Sequence, residues 1–356
     1  MTRSAVSRGL QCRRHGRAPR HRSALRSAEY ERSEPTVAKM KGSPRERRSV
    51  RAMPALPLIF LAALLFCQGC ASSGERHTSS VRAHIREVVE VPMVSVDGLP
   101  FVQAHVNGTG PFWFILDTGA ETDVVHSRLA HEVHLQKVGA FRFNKTVMGD
   151  WYDGIDLKIG AARYRPDRVA STILNDIEEL LNRRIDGVLG QSFFRCFIVE
   201  LDYPRQVLRL QPSPRLNRDA TAIPLTFHGF RPTIEATIQL ASLPAASGSF
   251  VVDTGSNIEL ELGGRFFKAR DLEEPAGGTP VESTMLHGSS DARSILGVRL
   301  KVGLVSVEKP LVTLGASSNP LDEGSIDGTI GGGFLRRFHV TLDYRSEKLW
   351  LEESPR

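Results

Sequence analysis

The chain has 356 residues, 41% of them hydrophobic, enough for two or three globular domains. Its formal charge of +6 invites a nucleic-acid reading, but residues 1–52 hold 15 of the 46 basic and 4 of the 40 acidic side chains. The remainder carries 31 basic against 36 acidic groups, so no nucleic-acid partner is expected of the folded body.

Residues 1–39 form an Arg-rich extension ahead of a possible start at Met40 and are expected to be disordered. Residues 40–69 have the grammar of an export signal: Lys41, Arg45, Arg47, Arg48 and Arg51, then the uncharged run 53–66, then small residues. That run is short for a membrane span, which favours a cleaved signal. Gly69-Cys70 resembles the end of a bacterial lipobox, making Cys70 the lipidation candidate; Cys67 and Gln68 depart from the usual pattern. The expectation is an exported cell-envelope or periplasmic protein, lipid-anchored to a membrane, with a Ser-rich tether over 70–87. Of the four cysteines only Cys196 then remains in the body, as a buried inert thiol. His126, His131 and His134 lack metal-ligand spacing, so no metal is expected.

From residue 88 onward one unit is written twice. Pro92 and Ala104 recur at Pro224 and Ala236, an offset of 132. Ile185-Asp186-Gly187-Val188-Leu189-Gly190 recurs as Ile326-Asp327-Gly328-Thr329-Ile330-Gly331 at an offset of 141, which also aligns Leu201-Asp202-Tyr203 with Leu342-Asp343-Tyr344. A period near 140 residues is domain-sized, so two homologous lobes are expected, 88–215 and 216–356. Short alternating segments bounded by Gly, Asp and Pro read as strands, for example 197–201 with 207–210 and 298–302 with 310–314. Ile173, Leu174, Ile177, Leu180 and Leu181 make one helical stripe, with Ser171-Thr172 placed to cap it. The expected fold class is all-β: two lobes of closed or nearly closed β-barrels, with about one short helix each.

Within the repeat, Phe114-Ile115-Leu116-Asp117-Thr118-Gly119-Ala120 is matched by Phe250-Val251-Val252-Asp253-Thr254-Gly255-Ser256. Each is an apolar strand ending in Asp-Thr-Gly. A carboxylate at the end of a buried strand is costly unless paired or hydrogen-bonded, and two of them in matching places are expected to meet. Asp186 and Asp327 read as turn residues rather than catalytic acids.

Paired Asp-Thr-Gly turns, each followed some 70 residues later by Asp-Gly-Val/Thr-Leu/Ile-Gly, resemble the aspartic peptidases, in particular the bacterial retropepsin-like aspartyl proteases, with two lobes in one chain as in pepsin. The resemblance spans roughly residues 90–352. It implies an endopeptidase in which Asp117 and Asp253 share a proton and activate a water, since two like charges held so close cannot both ionise. It further implies that Thr118 and Thr254 lock the two loops, with Gly119, Ala120, Gly255 and Ser256 supporting them, and that the segments at Gly190 and Gly331 pack behind. A Ser256 hydroxyl bonded to Asp253 would make that residue the more acidic partner. Flaps are expected at Met148, Gly149 and Trp151 in the first copy and at His287 and Gly288 in the second, with Gly149 and Gly288 as hairpin tips. The resemblance implies a peptide or protein substrate, no cofactor, and a monomer. The competing reading is a non-catalytic peptide-binding protein of the same fold.

Overall fold

The structure, a computed structural model, describes residues 58–60, 82–143, 146–212, 219–285, 288–315 and 325–353. Cys70, His287 and, apart from 58–60, the stretches read as extension and export signal lie outside the described residues.

The duplication extends to strand order. In the first lobe the neighbours run Leu99–Val106, Thr109–Leu116, Gly187–Leu189, Val124–His126, Val169–Thr172, Thr146–Asp153, Gln136–Phe143. In the second they run Arg231–Gln239, Ala246–Asp253, Gly328–Gly331, Leu260–Leu262, Leu311–Leu314, Gly288–Leu296, Thr279–Met285. A further short strand, Leu58–Phe60, lies parallel to Ser283–Met285 at the end of the second series. Most of the buried faces come from alternating Val, Ile, Leu and Phe, as expected of strands with one dry side.

The lobes are not closed barrels. The described strands form one open 16-stranded and one open 11-stranded sheet, and neither returns to its own first strand. The physical reason lies in the strand that could have closed each lobe. In Val89–Val96, Met93–Val96 pairs with Leu99–Val102, but Val89–Pro92 leaves to pair with Val207–Leu210. In the second copy the equivalent strand is broken in two: Thr226–His228 stays on Arg231–Thr233, and Ile223–Pro224 joins Lys348–Leu349. The diverted pieces flank a shared sheet whose centre is the antiparallel pair Ile198–Asp202 and Phe338–Asp343, in register at Val199↔Leu342 and Leu201↔Val340. These are the residues that the 141-residue offset equates. Pairing hydrogen bonds therefore join the lobes where each might have closed on itself.

Five short α-helices and one 3-10 turn, Asp219–Thr221, occur among the described residues, more than one helix per lobe. The predicted stripe yields the helix Asn175–Leu181, with Leu174, Ile177 and Leu181 buried and Ile173 left 65% exposed. Ser171 and Thr172 do not cap it: they end the strand Val169–Thr172, where Ser171 Oγ accepts the Asp150 N–H at 3.2 Å and Thr172 Oγ1 donates to the Met148 carbonyl at 3.3 Å. Pairing with the neighbouring strand outcompeted the local cap. This helix covers a small core of Leu99, Phe101, Ile115, Val124 and Val188 that also encloses Ala120. The larger core runs through both lobes and the shared sheet.

Candidate active site

Each Asp-Thr-Gly turn is delivered by a strand held between two others. Thr109–Leu116 lies parallel to Gly187–Leu189, with Phe114 opposite Gly187 and Leu116 opposite Leu189. Ala246–Asp253 lies parallel to Gly328–Gly331, with Phe250 opposite Gly328 and Asp253 opposite Gly331. Asp117 closes the arrangement by donating its N–H to the Leu189 carbonyl at 2.9 Å. Both turns leave the buried ends of their strands, and both aspartates are wholly buried.

The two turns are cross-bonded. Thr118 Oγ1 donates to the Val252 carbonyl at 2.6 Å, and Thr254 Oγ1 donates to the Leu116 carbonyl at 2.7 Å. In return the Thr118 N–H donates to Thr254 Oγ1 and the Thr254 N–H to Thr118 Oγ1, each at 3.0 Å. Four reciprocal bonds in a site shut off from water fix one loop relative to the other. The Gly119 N–H donates to Asp117 Oδ1 at 2.7 Å and the Gly255 N–H to Asp253 Oδ1 at 2.8 Å. Gly255 must be glycine, because a Cβ there would stand 2.2 Å from the Asp117 carboxyl carbon. The Asp117 carboxyl thus lies directly on the other lobe's loop. The second oxygens, Oδ2 of both aspartates, are buried, and among the described residues no group outside the pair donates to them.

Burial, reinforced by the charge of Asp253, holds Asp117 well above the usual carboxylate range. Burial also raises Asp253, but the Gly255 N–H, the Asp117 carboxyl and the Arg231 guanidinium restrain it to about 6. The two carboxyls titrate as one pair, within which the Arg231 charge favours ionisation at Asp253. Ser256, expected to supply that preference, turns its hydroxyl to the Ile258 N–H at 3.5 Å. Sequence reasoning misses Arg231, although a signal exists: the 132-residue offset equates it with the buried Leu99, a charge for an apolar residue in one copy only.

Residues 102–193 match a family model described as "Aspartyl protease". That stretch of the first lobe is similar to the aspartyl-protease family. A crystal structure of an aspartic proteinase from Irpex lacteus is similar over 75% of this chain and 97% of that chain, at 13% identity and a TM-score of 0.45, a likeness too remote to carry an argument. No curated protein matches the chain.

Around the paired aspartates, Asp186 and Asp327 serve as structural anchors. Asp186 accepts the Trp113 N–H at 2.9 Å and Arg184 Nε at 2.7 Å; Asp327 accepts the Ser249 N–H at 3.0 Å and pairs with Arg265 at 2.5 Å and Arg270 at 2.7 Å. Burial would lift Asp327, yet Arg270, the Ser249 N–H and Arg265 together hold it below the ordinary carboxylate value. Asp202 and Asp343 cap the following turns by accepting the Arg205 N–H at 3.0 Å and the Arg345 N–H at 3.1 Å. Tyr203 and Tyr344, next along the repeat, are buried, and burial followed by the charge of the aspartates raises both phenols.

The first flap candidates belong to the paired strands Gln136–Phe143 and Thr146–Asp153; residues 144–145 lie outside the described residues. Gly149 is not the tip. It lies within a strand opposite Phe141, pressed so closely on Ser171 that a Cβ would stand 1.7 Å from its carbonyl oxygen. Met148 is half-buried; Trp151 packs edge-on against Phe141, centroids 5.3 Å apart, with the Arg168 guanidinium 4.2 Å from its ring centroid. Gly288 lies in a strand, paired with Met285; His287 lies outside the described residues. Cys196 is half-buried, and burial pushes its thiol up to about 11.

Proposed function

We propose that this protein is an aspartic endopeptidase in which Asp117 and Asp253 act as one acid–base pair. The observation that carries the reading is the reciprocal Thr118–Thr254 bonding, which seats both carboxyls in one enclosed site. Their unequal environments support unequal roles: Asp253 ionised, Asp117 protonated. In the reaction Asp253 takes a proton from water as its oxygen bonds to the scissile carbonyl carbon, and Asp117 gives its proton to the carbonyl oxygen. Collapse of the tetrahedral adduct breaks the C–N bond, with the proton on Asp253 passing to the leaving nitrogen and the proton on the adduct hydroxyl returning to Asp117. Both carboxyls are enclosed, so turnover requires the surrounding segments to part and reclose around an extended peptide.

Digestion of casein and a peptide library by the purified protein tests this. Asp117→Asn and Asp253→Asn should each lower kcat/KM by roughly a thousandfold or more, and a statine-type inhibitor should block the wild type. Wild-type cleavage by either variant would sink the assignment. Export and lipid attachment at Cys70 complete the proposal, supported by the basic, apolar and small-residue succession before it. Mass spectrometry of the mature N-terminus checks that part, since an unmodified residue 70 still joined to residue 69 excludes it.

A further inference from the structure

Asp123 is one of several buried carboxyls in the first lobe outside the acid–base pair, 1% exposed and, unlike Asp186, without an ion pair among the described residues. Its Oδ1 accepts the Gly190 N–H at 2.8 Å, and its Oδ2 accepts the Tyr164 hydroxyl. Gly190 is pressed against the aspartate loop: a Cβ there would stand 2.6 Å from the Thr122 carbonyl oxygen and 2.7 Å from that of Ala120. Three consecutive residues of this segment are bonded to the loop. Leu189 O accepts the Asp117 N–H at 2.9 Å, Gly190 donates to Asp123, and the Gln191 N–H donates to Ala120 O at 2.9 Å. Only the middle bond depends on a side chain.

The duplication provides an internal control. The offset of 136 that relates Asp117 to Asp253 places Glu259 where Asp123 stands, and the offset of 143 that relates Gly160 to Gly303 places Val307 where Tyr164 stands. Glu259 does not face inward to the loop segment; its side chain accepts the Leu311 N–H at 2.9 Å and pairs with Arg337. Both members of the pair are thus replaced together in the other lobe, as expected of two residues that work only in combination.

We infer that Asp123, with Tyr164, is a positioning residue that holds the first aspartate loop against Gly190 and so sets where Asp117 stands. The inference rests on the peptidase reading for its kinetic consequence, while the bond itself can be tested without turnover. Tyr164 is fully buried and lies edge-on to Phe193, centroids 5.4 Å apart. The titratable groups facing Asp123 are Tyr164, whose phenol burial and Asp123 raise, and Cys196; no ion pair to Asp123 occurs among the described residues. Burial lifts the Asp123 carboxyl to about 7 against the opposing pull of Tyr164 and Gly190. A folded value above the unfolded one means that this contribution to stability is complete in acid and is lost as pH rises through about 7. Burial therefore favours the uncharged acid, in which Oδ2 carries the proton and donates to the tyrosine oxygen in place of accepting from it, while Oδ1 still accepts the Gly190 N–H.

Asparagine reproduces that uncharged form, with an oxygen for Gly190 and an N–H for the tyrosine oxygen. In the full chain, the fall in Tm between about pH 5 and about pH 8 should be smaller in Asp123→Asn than in wild type, with Asn the more stable at the higher pH. Asp123→Asn should keep kcat within about twofold, whereas Asp123→Ala or Tyr164→Phe should lower kcat by roughly tenfold with KM little changed. If Asp123→Asn shows the wild-type dependence of Tm on pH, or if Tyr164→Phe turns over like wild type, the inference is wrong. If the wild type cleaves nothing, the peptidase reading fails, and the thermal comparison still decides whether the bond exists.

Discussion

Thr254→Val isolates the lock between the two aspartate loops. Valine has nearly the shape of threonine, so the change removes a hydroxyl and leaves little void. That hydroxyl donates to Leu116 O at 2.7 Å and accepts the Thr118 N–H at 3.0 Å, with both threonines wholly buried. Each backbone group left without its partner costs about 1–3 kcal/mol, so with two such groups the variant should lose about 2–6 kcal/mol. Thr254→Ser keeps the hydroxyl and loses one methyl, a cost of about 1 kcal/mol. Urea unfolding followed by tryptophan fluorescence and by far-UV circular dichroism reads the difference, with coincidence of the two probes checking two-state behaviour. With m on the order of 3 kcal/mol per molar, a loss of about 3 kcal/mol moves the midpoint by about 1 M. The threonine oxygens are 3.5 Å apart, so the Thr118→Val/Thr254→Val double variant should lose less than the sum of the single losses. A valine variant within about 0.5 kcal/mol of wild type, or a serine variant as damaged as the valine one, refutes the reasoning.

Activity should fall as pH drops through about 6, where Asp253 takes up a proton, and kcat/KM against pH reads that limb. Arg231→Leu, which installs the residue found at position 99, removes a positive charge that draws Asp253 down; the limb should move to higher pH, and an unmoved limb would show the arginine to be irrelevant. Gly255→Ala places a methyl on the Asp117 carboxyl and should lower kcat by about a hundredfold or more, while a fully active variant would mean the loops stand farther apart. Asp327→Asn weakens an anchor to Arg265 and Arg270; because both arginines retain some exposure the loss should be about 2–3 kcal/mol, seen as a lower urea midpoint with kcat unchanged.

What the sequence by itself determined is whatever depends on local pattern and on the repeat. Apolar runs ending in Asp-Thr-Gly had to be buried strands leading into turns, and a buried acid written twice in equivalent places needed a common solution. Val199, Leu201, Val340 and Leu342, aligned by the offset, pair across the lobes. What only the tertiary structure decided is where strands and side chains find partners far along the chain. Val89–Val96 is apolar at 89, 91 and 93 and then at 94 and 96, and this shift of parity does not tell that its first half will pair with the shared sheet and leave the lobe open. Gly149 looks like a turn glycine; it is a strand glycine because Ser171, 22 residues away, lies against it. Ser171 and Thr172 have the right chemistry for a helix cap and spend it on another strand. Arg231 and Asp123 differ from their counterparts Leu99 and Glu259, but a difference between copies has no sign until folding shows which acid each residue faces. Periodicity and repetition are encoded between neighbours in sequence, whereas hydrogen-bond partners and desolvation are properties of neighbours in space.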